Sequence, residues 1–166
     1  MRNPTALILT LGLCLPLGAQ SLPETFAKHW KTSVTYTRAM ADKMPADGYS
    51  FKPTPAQMSF GEQVLHIANA NASFAAAITG GKARSWDPKQ ADRTAALAAL
   101  DESAKLAEDA VARLTPELLQ KKVKSEEVEM RVEDIVMLML DHTTHHRGQM
   151  VVYLRLKGIP PAEYDF

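Results

Sequence analysis

Four stretches of about 20 residues each repeat apolar side chains at three- and four-residue steps, the spacing of a helix with one buried face. The first runs Leu22, Phe26, Trp30, Ser33/Val34, Thr37, Met40 and Met44. Pro45 and Asp47-Gly48 stop it, and Tyr49 to Met58, with two prolines, read as an extended connector. Ser59-Phe60-Gly61-Glu62 is a capping box, in which hydroxyl and carboxylate each take a free backbone N–H of the first turn. The second stripe follows through Val64, Ile67, Asn71, Phe74 and Ile78 to Gly80-Gly81. A loop with Trp86, Asp87 and Pro88 leads to the third, through Leu97, Leu100, Ala104, Ala107, Val111 and Leu114. Thr115-Pro116-Glu117 opens a short helical turn. Residues 121–131 are charged and partly alternating, which admits a short hairpin. The fourth stripe begins at Val132 and ends before Gly158 and Pro160-Pro161.

Four such amphipathic stretches predict an all-α fold, a four-helix bundle with connections long enough for an up-down-down-up or an up-down-up-down path. At 166 residues the chain makes one domain and buries a core without staples. A 46% hydrophobic fraction and 23% charged residues exclude a disordered tail protein. Lys+Arg and Asp+Glu both number 19, against the basic excess expected of a nucleic-acid binder.

Residues 1–19 stand outside this pattern. Arg2 precedes an uncharged, leucine-rich run from Ala6 to Gly18, and Ala19 offers a small residue before a cut at Gln20. This reads as a secretory signal peptide, so residues 20–166 form the mature domain and the protein is exported, periplasmic or extracellular. The single cysteine, Cys14, leaves with the leader; Leu13 before it is wrong for a lipidation site. Without Arg2 the chain carries 18 basic against 19 acidic residues, a net charge of −1.

Three of the five histidines fall within Asp141-His142-Thr143-Thr144-His145-His146-Arg147. His142 and His146 are one turn apart on the face shared with Ile135, Leu138, Met139, Gln149, Met150 and Tyr153, the face expected to point inward. Two imidazoles so spaced can bind one divalent ion; they can equally be hydrogen-bonded core residues. His66, beside Ile67 on the second helix, shares its face with Glu62, Ala70, Ser73 and Ala77, which leave room around its ring. As a third donor it would complete a facial set with open positions, as catalytic sites have. Nitrogen donors favour zinc or nickel over calcium or magnesium. His145 lies about 100° round the helix from His146, in a supporting or surface place. Glu62 is either an acceptor for His66 or purely a cap, and His29 has no partner in sequence.

Met44 to Asn71 (MPADGYSFKPTPAQMSFGEQVLHIANAN) and His142 to Tyr164 (HTTHHRGQMVVYLRLKGIPPAEY) resemble the DinB-like (DinB/YfiT-type) superfamily, the likeness running through nearly all of the mature chain. HHRGQ followed by YLR and G-x-PP is far more specific than HxxxH. The resemblance implies up-down-down-up topology, a zinc or nickel ion on His66, His142 and His146, and a homodimer. It implies an enzyme such as a thiol transferase or isomerase acting on a small molecule; an export signal sits badly with a cytosolic thiol cosubstrate. Within the HRGQ match, Gln149 is placed toward the site, and Arg147 points away to a structural role, paired with an acidic residue. Tyr153 either lines the pocket or is a core aromatic with a satisfied hydroxyl. Two functions follow: a metal-dependent transferase or hydrolase, or a non-catalytic metal-binding or stress-related interaction protein, with no nucleic-acid or membrane partner.

Overall fold

The computed structural model describes residues 21–125 and 128–164, so the leader at 1–19 lies outside the described residues. Helix α1 spans Leu22–Lys43, α2 Phe60–Thr79, α3 Arg93–Val111, α4 Pro116–Gln120 and α5 Val132–Leu156. Strands β1, Lys122–Ser125, and β2, Val128–Arg131, pair antiparallel with Lys122 opposite Arg131 and Ser125 opposite Val128. The expectation of a four-helix bundle is therefore corrected: the described chain has five helices and a hairpin. The extra elements have local causes. Thr115 Oγ1 accepts the Leu118 N–H at 3.1 Å and Pro116 presets the first turn, so a separate short helix forms and buries Leu119. The Val132 N–H then donates to the Lys121 carbonyl at 3.0 Å, returning the chain from the hairpin into α5.

Helix ends follow their capping chemistry. Ser59 and Glu62 exchange backbone bonds at the start of α2, with Glu62 Oε2 2.5 Å from the Ser59 N–H. Gly80 ends α2 at φ +72°, a left-handed conformation that glycine adopts without cost. Asp92 caps α3 through the Ala95 N–H at 3.0 Å. Gly61 has a different job: a β-carbon there would run into the Ala91 carbonyl oxygen, so the absent side chain lets α2 start against the segment leading into α3.

Helix α2 lies between α3 and α5, and α1 packs on the other side of the same two helices. Phe26 and Trp30 share a core with Val132, Ile135, Val136 and Met139, whereas Thr37 meets Arg147, so α1 and α5 run in the same direction. Gln63 contacts Gln149 and Asn71 contacts Thr143, so α2 runs against α5. Two apolar clusters result. One gathers Met40, Met44, Tyr49, Phe60, Val64, Leu65, Tyr153 and Leu154; the other gathers Phe26, Trp30, Val111, Leu114, Leu119 and the first turns of α5. Both α2 and α5 pass from one cluster to the other; His142 and His146 fall between the two on α5, whereas His66 sits beside Leu65 and Ile67 of the first cluster. The connection from α2 to α3 is clasped midway: Asn69 donates to the Trp86 carbonyl at 3.0 Å and accepts the Trp86 N–H at 2.8 Å. Among the described residues no helix is long and apolar enough to cross a membrane.

Candidate metal centre

His66 comes from the second turn of α2, and His142 and His146 from consecutive turns of α5. Because α2 and α5 pack against each other, the three rings form a near-equilateral triangle, with centroids 4.9, 4.4 and 4.5 Å apart. Nε2 of His66 and Nε2 of His142 are 3.1 Å apart. One ligating nitrogen from each ring lies within 4.8 Å of the others. Nitrogens about 2.0–2.1 Å from a single tetrahedral ion stand roughly 3.3 Å from each other, so the closest pair already fits and small ring rotations bring in the third.

Burial makes the donors chemically ready. Desolvation holds His66 below its ordinary pKa, and His142 likewise, with His66 and His145 adding repulsion. His146 is pushed down to about 4, by burial first and then by the other histidines. The imidazoles are thus neutral at pH 7 and keep the lone pairs that ligation requires. The same shifts set the acid sensitivity of the metal-free protein. A lowered folded pKa means that the unfolded chain binds protons first as pH falls. Stability is therefore full above about pH 6.5 and drains away toward pH 4. His146 accounts for on the order of 1–3 kcal/mol of that loss. Urea midpoints of chelator-treated protein at pH 7 and pH 5 check this; equal midpoints would contradict it.

A hydrogen-bonded chain of amides orients His146. Its Nδ1–H donates to Gln63 Oε1 at 2.8 Å, leaving Nε2 as the donor atom. Gln63 Nε2 donates to Gln149 Oε1 at 2.5 Å, and Gln149 Nε2 lies 2.8 Å from Nε2 of the exposed His145. Gln149 thus reaches the site through Gln63 rather than through a histidine, and His145 ends the chain instead of joining the triangle. Gln63 was not anticipated from the sequence. The available signal was its place one turn before His66, on the side of α2 that packs against α5.

The remaining candidates are also placed. Glu62 serves the cap and pairs with Lys52 at 3.0 Å, which holds its carboxyl below the usual range. Tyr153 is a core aromatic whose hydroxyl donates to the Met58 carbonyl at 2.6 Å. Arg147 points to α1, as the helix geometry requires, but its expected acidic partner is replaced by hydroxyls and a carbonyl: Ser33 Oγ at 2.7 Å, Ser33 O and Thr37 Oγ1 at 3.3 Å, and Thr144 Oγ1 at 3.3 Å. Phe74 stands edge-on to His142 at 6.0 Å and walls one side of the triangle.

Comparison with known proteins agrees with this architecture. YjoA of Bacillus subtilis (strain 168) is 29% identical over 136 residues, covering 78% of this chain and 87% of that protein. Its crystal structure aligns with a TM-score of 0.69 over 86% of this chain and 96% of that one. A DinB-like protein from Bacillus cereus ATCC 10987 shares the fold at 19% identity, with a TM-score of 0.74 and coverage of 84% and 95%. YfiT from Bacillus subtilis, described as a probable metal-dependent hydrolase with an unusual four-helix bundle topology, aligns at 16% identity and TM-score 0.64, covering 87% and 93%. The sequence profile of the DinB family matches residues 17–166, and the chain belongs to that family.

Proposed function

We propose that this protein is a metal-dependent hydrolase or group-transfer enzyme whose divalent ion, zinc or nickel by donor chemistry, is held by His66, His142 and His146. The observation that carries the reading is the convergence of three neutral imidazoles on one point between α2 and α5. When bound, such an ion supplies Lewis acidity: it polarises a carbonyl or phosphoryl oxygen and makes water or a thiol more acidic. The chain's own part is positional. His66 and His142 present Nε2 from facing helices, Gln63 fixes the ring of His146, and Phe74 closes one side. The description of YfiT as a probable metal-dependent hydrolase supports the same reading by kinship of fold.

A second reading, metal binding without turnover, is favoured by one observation. The side chains that lead outward from His146, Gln63 and Gln149, are amides, which orient a ring but do not exchange protons near neutral pH, and the chain meets another imidazole only at the exposed His145. One experiment separates the two. Tag-free protein carries about one equivalent of zinc or nickel and His142→Ala carries none; metal in neither sample sinks both readings. Hydrolysis of an activated ester or thioester, lost in His66→Ala, selects the enzyme, and its absence from fully loaded protein selects the binder. Residues 1–19 are read as a secretory leader, so the sample made in an exporting host should begin at Gln20 by intact mass. A homodimer remains part of the proposal on family resemblance alone.

A further inference from the structure

On the opposite side of α5 from the histidines lies a cavity of about 310 Å³ between α1 and α5, lined by residues that include Lys28, His29, Thr32, Leu140, Thr144, Arg147 and Tyr164. Its floor is a guanidinium in an unusual position. Arg147 is only 6% exposed, and no carboxylate among the described residues pairs with it. Nη1 is fully engaged by Ser33 and Thr37 of α1, and Nη2 gives one hydrogen bond, to Thr144. Nε–H and the second hydrogen of Nη2 have no acceptor among the described residues. Yet Nε is not sealed off: the fully enclosed, unpartnered side-chain polar atoms among the described residues are Trp30 Nε1 and His142 Nδ1. Nε therefore keeps contact with open space, next to an Nη2 that gives one of its two hydrogens to Thr144.

The surroundings hold that edge still. The Tyr36 ring lies 5.1 Å from the guanidinium carbon and the Tyr164 ring 6.0 Å, and the two rings stand 4.7 Å apart. A planar guanidinium anchored along one side and stacked on aromatic faces has lost its rotamer freedom in advance, so a ligand meets a preformed fork. Lys28 adds a second positive charge to the wall, and none of the described residues lining the cavity is acidic. Glu163 lines a neighbouring hollow with Lys31, Thr35 and Tyr36. Leu140 and the Tyr164 ring supply an apolar side.

We propose that this cavity is a binding site for a small organic carboxylate, its head on the Nε/Nη2 edge of Arg147 and near Lys28, its apolar body against Leu140 and Tyr164. Two parallel N–H donors match the two oxygens of a carboxylate; the same fork also takes two oxygens of a phosphate, so the test below sets one against the other. A volume near 310 Å³ is at the small end of ligand cavities, which limits the guest to roughly the size of a benzoate. The site does not depend on the three-histidine reading, since it faces α1 and shares no side chain with the triangle.

The test is titration of the whole mature protein with benzoate, read by the 1H–15N signal of Arg147 Nε–H and by calorimetry. Expected is a saturable shift of that signal with Kd on the order of 1 mM or tighter. Lys28→Glu, an exposed change that leaves the fold alone, should weaken binding at least about 10-fold, which is 1.4 kcal/mol. Arg147→Lys keeps the charge but removes the fork and should abolish saturation. Should that variant fail to fold, the Lys28→Glu result and the Nε–H shift decide the matter. Benzyl alcohol should leave the signal unmoved, and His142→Ala should bind benzoate as the parent does. No saturable shift with benzoate, or equal affinity in Lys28→Glu, overturns the proposal. Tighter binding of phenyl phosphate than of benzoate at the same signal overturns the carboxylate assignment.

Discussion

Replacing Gln63 with leucine should weaken metal binding by about 10- to 100-fold with the helices intact, the usual consequence of removing the partner that orients a ligating histidine. Gln63 is 2% exposed, and its Oε1 is the acceptor that fixes the His146 Nδ1–H. Leucine fills nearly the same volume without an acceptor. The imidazole is then free to carry its proton on either nitrogen, and binding must first select the tautomer with a bare Nε2. Glutamate at the same place keeps an acceptor and should keep most of the affinity. Gln149→Leu removes only the outer partner and should cost less than Gln63→Leu. Competition titration with a zinc chelator gives the affinities, and the imidazole 15N shifts of metal-free protein report the tautomer of His146 directly. An unchanged Kd in Gln63→Leu with a mixed tautomer would show that the orienting bond contributes nothing.

The largest expected loss of stability is at Trp30. Its ring is 1% exposed, stacks on Phe26 at 6.2 Å and 10°, and packs in the cluster with Ile135, Val136 and Met139. Trp30→Ala removes that volume from close-packed surroundings and should cost about 3–5 kcal/mol. Its indole N–H is enclosed without an acceptor, so the polar end of the ring adds no hydrogen bond to the folded state. Trp30→Phe deletes an unsatisfied donor together with part of the ring, and the two effects oppose each other. The phenylalanine variant should therefore lose no more than about 1.5 kcal/mol. Urea unfolding of both variants at pH 7 measures the difference; equal losses would mean that the indole N–H is satisfied after all.

Much of the fold could be read along the chain because its cues are local. Ser59 with Glu62 marks the start of α2, Gly80 and Gly158 the ends of α2 and α5, and the alternation in residues 121–131 the hairpin. A count of four helices fell short because α4 has too few residues for periodicity to register, though Thr115-Pro116 announced a turn there. The His142–His146 pair was legible for the same reason that α5 was, since i and i+4 is a statement about one helix; His66, on α2, was legible only from the small residues on its own face and from the family likeness. What surrounds it was not. Gln63, Gln149 and the hydroxyls around Arg147 are chosen by which helix faces which, and that pairing leaves no periodic trace. The sequence pattern rightly turned Arg147 away from the histidines, but an arginine reads as a search for an acid, and Ser33 and Thr37 look like ordinary interruptions of an apolar stripe.

The Asn69–Trp86 clasp bears on how the chain behaves as a polymer. The amide of Asn69 offers a backbone segment what a neighbouring strand would, one donor and one acceptor side by side, and so pins the middle of the link between α2 and α3. A long tether becomes two short spans, each with few conformations left to surrender when the helices dock. A protease meeting the folded protein finds the stretch around Trp86 held at its centre, with less slack than the length between the helices suggests.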